Sequence, residues 1–232
     1  MRSAESATET DRDSLADSDA ESGNIDTSSS TDIGTDAPAS AASASRFRRF
    51  WLGYTVSQFG DRITELALPL IAAVTLHASA AAVSALAAVT WTPNLLGVVL
   101  GAWVDRQRRK RRLMIGADLA RAVVLLSLPV AAAFHAVTLG QLYIAALLCG
   151  SAAVLFNTSY PTFFAHLVPR SAYVSANSKL AASRSASSMV GPAAGGALIA
   201  ATSAPFAVAA DSVSFLFSAL TIGRVRVAEP AP

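Results

Sequence analysis

Cysteine is nearly missing from this sequence: one residue, Cys149, stands among 232. A single thiol excludes an intrachain disulfide. The three histidines, His77, His135 and His166, lie far apart, so no zinc-like ligand spacing exists. Catalytic signatures are missing too. No GxSxG, Walker loop, HExxH or CxxC pattern occurs, and no glycine-rich phosphate cradle follows a strand, because no stretch reads as a convincing strand. The chain does not read as an enzyme, and it calls for no metal and no cofactor. Charge is scarce at 15% of residues, whereas 53% are hydrophobic and the mean hydropathy is +0.45. Apolar runs of about 18 residues or more recur from Phe50 onward, separated by short polar breaks, which is the pattern of an all-α integral membrane protein.

The formal charge of +2 hides a division. Ten of the sixteen acidic residues fall within the first 36 positions, beside only Arg2 and Arg12; from residue 37 onward sixteen basic residues face six acidic ones. That excess suits anionic lipid head groups and gives no reason to invoke nucleic acid. Residues 1–45 are Ser, Thr, Asp, Ala and Glu with few large apolar side chains, so they bury too little surface to offset their ordering entropy and read as a disordered acidic cytoplasmic tail. An acidic start without an apolar core is not a signal peptide.

Loop charge sets the orientation of the rest. Between Arg106 and Arg112 six of seven residues are Arg or Lys, and such a block stays on the cytoplasmic side. Arg46, Arg48 and Arg49 precede a first span over 50–76, which ends in an uncharged turn at His77. A second span over 81–104 returns to the basic block, and a third over 113–134 leads to a loop without Lys or Arg. A fourth over 140–161 is followed by a polar connection carrying Arg170, Lys179 and Arg184. A fifth over 182–202 and a sixth over 206–223 end at Arg224 and Arg226, before a short tail over 227–232. The alternation predicts a multi-pass domain over 46–226 with six transmembrane helices and both termini cytoplasmic.

Polar residues inside these runs are candidate functional groups. Gln58, Asp61 and Glu65 share one helical face, and Asp61 lies about 16 Å along the helix from Phe50, near the middle of a hydrocarbon core about 30 Å thick. A carboxylate at that depth needs a partner or water, and Asp61 reads as a protonatable group tuned by Arg62, with Glu65 beside it. Gln58 and Asn157 are expected to line a substrate cavity. Asp118 and Arg121, three residues apart, read as a structural pair, with each other or with the basic block; Asp211 has Ser212 and Ser214 nearby and no assigned role. Ser183, Ser187, Gly191 and Gly195 recur every four residues and make a smooth stripe for close helix approach, which Pro192 loosens.

At these residues the chain resembles the major facilitator superfamily, and within it the drug:proton antiporters that include macrolide-efflux and enterobactin-exporter proteins. GAWVDRQRRK resembles that family's loop between helices 2 and 3, with Gly101, Asp105, Arg106, Arg108 and Arg109 in the matching places and Gln107 where a second glycine is usual. ASRSASSMVGPAAGG resembles the helix 5 antiporter motif through Gly191, Pro192, Gly195 and Gly196, with Ser187 where an earlier glycine is usual. FGDR at 59–62, GADLARA at 116–122, FNTSYPTFFAHLVP at 156–169, SAN at 175–177 and ADSVSFLFSAL at 210–220 extend the likeness over nearly all of 46–226. The helix 4 Arg motif of many proton antiporters is missing, which raises the weight on Asp61.

The resemblance implies one half of a transporter, with Asp105 and the basic residues as a cytoplasmic conformational latch and substrate held between two six-helix halves that rock to alternate access. The expected function is proton-coupled export of hydrophobic drugs or siderophore-like molecules from the plasma membrane, a route to drug resistance. The expected partners are the lipid bilayer, a small-molecule substrate and protons. Because the likeness ends at the sixth helix, the half is expected to pair with a second six-helix half or with itself. A non-transporting remnant or accessory membrane protein is the alternative.

Overall fold

The computed structural model describes residues 37–95, 97–107 and 109–225, and every regular element among them is helical. Helix α1 (Ala37–Leu70) continues as a π-turn (Ile71–Thr75); then follow α2 (Ala80–Leu95), α3 (Gly97–Arg106), α4 (Lys110–Ala133), α5 (Leu139–Leu167), a short 3-10 turn (Arg170–Ala172), α6 (Tyr173–Ala201) and α7 (Ala204–Arg224). The expected tail lies outside the described residues as far as Asp36. From Ala37 the chain is already helical, consistent with its Ala-rich run and with Pro38 near the first helical position.

Prolines account for the irregular places. Pro69 lacks a backbone donor, and just beyond it the Leu76 amide reaches back to the Ile71 carbonyl at 3.1 Å, a five-residue step that widens the turn. The expected second span is two helices, α2 and α3, bent by 49°, with Pro93 in the last turn of α2. The polar connection after the fourth span is shorter than expected: α5 runs on to Leu167 and α6 starts at Tyr173. Lys179 and Arg184 are therefore helical residues of α6. A run such as SANSKLAASRS looks like loop by polarity, yet its Ala, Leu, Lys and Arg favour helix.

Length and composition make α4, α5 and α7 long and apolar enough to cross a membrane, and α2 with α3 makes a fourth if the bent pair is one span. Helix α1 carries Asp61, Arg62 and Glu65, and α6 carries Lys179 and Arg184 amid Ser and Gly.

Helix α1 is the hub. It packs on α7 and on α6; α7 packs in turn on α4, α4 on α5, and α5 on α2 and α3. Two apolar cores result. One joins Phe50 and Tyr54 of α1 to Met114, Phe156, Phe163, Phe164, Leu180 and Ile222; the other joins Ala67 and Leu68 of α1, with Ile71 and Ala72 of the π-turn, to Leu86, Leu125, Leu128, Leu142 and Phe215. Between them on α1 lies the segment that holds Asp61.

Close approach along α1 rests on small residues. Ser183, Ser187, Gly191 and Gly195 are buried on α6 after Ala176 and Leu180, and a Cβ on Gly191 would stand 2.7 Å from the Cβ of Arg62. At the α1–α7 contact a Cβ on Gly60 would collide with the Asp211 carboxylate and the Ser214 hydroxyl. Gly196, by contrast, faces open space. Gly60→Ala is expected to lower stability by about 1–3 kcal/mol through overpacking, whereas Gly196→Ala leaves it unchanged or slightly higher because alanine is the better helix former. Thermal unfolding of both variants in one detergent checks the contrast.

Candidate functional site

The break between the two cores is polar. Helical offsets on α1 set Ser57, Gln58, Asp61 and Arg62 along one wall; α4 adds Asp118 and Arg121, α5 adds Phe156, Asn157 and Tyr160, and α6 adds Arg184. Together they line a cavity of about 520 Å³, within the usual size of a small-molecule site. Its lining mixes guanidinium, carboxylate, amide and aromatic groups, so it can bind and orient a ligand. The described residues hold no group of three His, Cys, Asp or Glu able to ligate a metal.

Arg121 is the centre of the charged layer. Its side chain is only 9% exposed, and its Nη2 pairs with Asp61 Oδ1 at 3.4 Å, which ties α4 to α1. Its Nε donates to the Cys149 carbonyl of α5 at 3.3 Å, and the guanidinium stands 4.4 Å from the ring centroid of Phe215 on α7. One side chain thus links four helices. A buried guanidinium is costly unless its charge and donors are engaged, and the carboxylate, the carbonyl and the ring each take a share.

Two more carboxylates lie near it. Asp211 is fully buried and accepts hydrogen bonds from Thr64 of α1 and, at 2.8 Å, from Ser214 of its own helix. Asp118 is 1% exposed and has Ser218 of α7 as a neighbour, but neither of its carboxylate oxygens makes a hydrogen bond. Arg121 is thus paired with the half-buried Asp61 and lies within electrostatic reach of two buried carboxylates, Asp118 and Asp211.

The structure brings together Gln58, Asp61, Arg62 and Asn157, all singled out from the sequence, and adds Asp118, Arg121 and Arg184 to the same cavity. Glu65 does not line it: 61% exposed, it takes the Arg62 guanidinium at 2.6 Å. The cation that pairs with Asp61 is thus Arg121 rather than its sequence neighbour Arg62. Arg121 also pairs with neither Asp118 nor the basic block; its partner lies sixty residues earlier. No local periodicity carries that signal.

Arg184, named in the sequence only as a cytoplasmic charge, also lines the cavity. Its Nε donates to the Tyr54 hydroxyl, which also accepts from Gln58 Nε2 at 3.2 Å, and its guanidinium lies 5.7 Å and 5.6 Å from the Tyr54 and Tyr160 ring centroids. Of the helix 5 motif residues, Ser187, Gly191 and Gly195 are buried, whereas Pro192 and Gly196 are exposed. Ser183, one turn before, receives the Trp51 indole N–H at 2.9 Å and lies 2.8 Å from the Thr55 hydroxyl.

The expected latch residues stand apart from this cavity. Gly101 faces Thr158 of α5. Asp105 is 73% exposed and meets Lys110 at 3.5 Å, a pair worth roughly 0–1 kcal/mol in water. Arg106 and Arg109 are exposed, and Arg108 lies outside the described residues. The basic block does clasp one helix end: Arg111 donates to the Ile222 carbonyl at 3.1 Å and to the Gly223 carbonyl, satisfying acceptors in the last turn of α7.

A family model described as Major Facilitator Superfamily matches residues 50–232. No curated protein and no solved structure matches the chain.

Removing Arg121 leaves a carboxylate unpaired at a cavity wall. Arg121→Met is expected to cost about 2–3 kcal/mol, less than the 3–5 of a fully buried pair because Asp61 is 32% exposed. Adding Asp61→Asn to that variant should restore at least half of the loss. Unfolding midpoints of the two single variants and the double variant measure the coupling.

Proposed function

The chain belongs to the major facilitator superfamily, whose members are membrane transporters, and on that premise we propose that it is one six-helix half of a proton-coupled exporter. Helices α1 and α6 complete the six spans, with Ser57, Gln58, Asp61 and Arg62 of α1 and Arg184 of α6 lining the cavity. The alternation of basic and uncharged turns orients both ends of the domain toward the cytoplasm of a plasma-membrane protein. The exported molecules are hydrophobic or siderophore-like compounds, and a second six-helix half, from another segment or another copy, closes the cavity. The export direction rests on the helix 5 stretch around Gly191 and Pro192, and the latch on Asp105 with the basic residues beside it.

The observation that carries the coupling is the Asp61–Arg121 pair at the cavity wall. A carboxylate that faces a cavity can exchange protons with water there, and its partner spans α4, α5 and α7. Protonating Asp61 removes one side of the pair and frees Arg121 for Asp118, three residues earlier on its own helix. Binding of a proton is thereby linked to which helices are tied together, which is what a transporter needs in order to couple a gradient to a change of access. Glu65 and Arg62, paired with each other at the edge of the same α1 segment, adjust the local field.

The test is transport by the full chain, with its partner half where one is required, in vesicles with an imposed pH gradient. Asp61→Asn is expected to reduce gradient-driven flux by about a hundredfold or more, with substrate exchange in the absence of a gradient largely kept. Gradient-driven flux at the wild-type rate in Asp61→Asn would remove Asp61 from the coupling step.

A further inference from the structure

Three guanidinium groups line the cavity, and two of them have carboxylate partners. Arg62 is held by Glu65 and Arg121 by Asp61. Arg184 has none: no carboxylate among the described residues lies within ion-pair distance of it, and its only hydrogen bond among them is from Nε to the Tyr54 hydroxyl. Both Nη groups are left for the cavity. Arg184 also lies eleven residues beyond the first residue of α6, about 16 Å along the axis. A guanidinium inside a membrane helix needs an opposite charge or water, and is by default a mark of function.

Its surroundings fix it in place. The faces of Tyr54 and Tyr160 flank the guanidinium, and the hydrogen bond to Tyr54 sets the direction of the fork. A preset planar fork with two free ends matches a carboxylate or another small acidic group by two parallel hydrogen bonds. The amide of Asn157 and the ring of Phe156 line the same cavity and supply a neutral polar contact and an apolar surface for the rest of such a ligand. The lining as a whole does not oppose an anion, because three guanidinium groups, Arg62, Arg121 and Arg184, stand against two carboxylates, Asp61 and Asp118.

We propose that the cavity takes an amphipathic organic anion, with its acidic head group on Arg184 and its flat or apolar body against Phe156 and Tyr160. This rests on the transporter reading and narrows it, since it selects acidic compounds over the cationic and neutral ones that a merely apolar cavity would accept.

The test is equilibrium binding to the full chain in nanodiscs with three matched probes: pyrenebutyrate, its neutral amide and pyrenebutylammonium. The anion should bind at least about tenfold more tightly than the amide, the worth of a charge-assisted pair. Arg184→Gln should abolish that preference, and Arg184→Lys should keep part of it, as a charge without the fork. Elution profile and unfolding midpoint establish that both variants fold. Equal affinity for anion and amide, tighter binding of the ammonium, an unchanged preference in Arg184→Gln, or no binding of any probe would each overturn the proposal. Adding phosphatidylglycerol to the nanodisc distinguishes the source of the acidic group: competition assigns the site to a lipid head group, and its absence to a free anion. Transport assays with the same probes separate this proposal from the one beneath it. Selective anion binding without any transport sinks the transporter reading and leaves the site, whereas transport of amide and anion alike does the reverse.

Discussion

One buried guanidinium, that of Arg121, holds the described helices in register. The two apolar cores would pack as generic helix bundles; what lies between them has to be satisfied group by group, because lipid offers no hydrogen bonds. Arg121 meets Asp61 of α1, the Cys149 carbonyl of α5 and the Phe215 ring of α7 from its own place on α4. The Asp211 carboxylate does the same at smaller scale between α1 and α7 through Thr64. Apolar packing supplies attraction, and these polar contacts decide which helix face meets which.

Under the proposed coupling, the same layer makes the molecule responsive. A packed apolar core has one good arrangement, but a cation with several carboxylates in reach has more than one way to be paired. Three carboxylates around one guanidinium leave negative charge uncompensated when all are ionised, and a proton cancels it at small cost in packing. Small residues at the α1–α6 and α1–α7 contacts, Gly191 against Arg62 and Gly60 against Asp211, set the polar segment of α1 close to both neighbours. A shift of α1 is therefore felt on two sides.

Much of this was legible in the sequence, and the parts that were not have a common cause. Helix positions follow from apolar run length, which is a local property, and the basic block at 106–112 carries the expected orientation. Asp61 stood out because a carboxylate in an apolar run is rare. Its partner did not, because pairing across sixty residues depends on which faces meet, and periodicity within α4 cannot say. Asp118 and Arg121 look self-sufficient at a spacing of three, yet the arginine turns to α1. Arg184 was hidden differently: counted as a cytoplasmic charge at the very start of the span over 182–202, it stands eleven residues into α6 because that helix begins at Tyr173. The break after Leu95 had a faint signal in Pro93, a residue common enough in membrane helices to be passed over.

In the proposed coupling Asp61 gains and loses a proton at the cavity wall, where Arg121 is its partner. Infrared difference spectra of the full chain in nanodiscs, recorded between acidic and alkaline buffer, read that event directly through the carboxyl stretch. A protonated-carboxyl band is expected, one that Asp61→Asn removes and that Arg121→Met shifts, because the guanidinium is its immediate partner. Superimposable difference spectra for wild type and Asp61→Asn would contradict it, and would leave the Asp61–Arg121 pair as a structural tie alone.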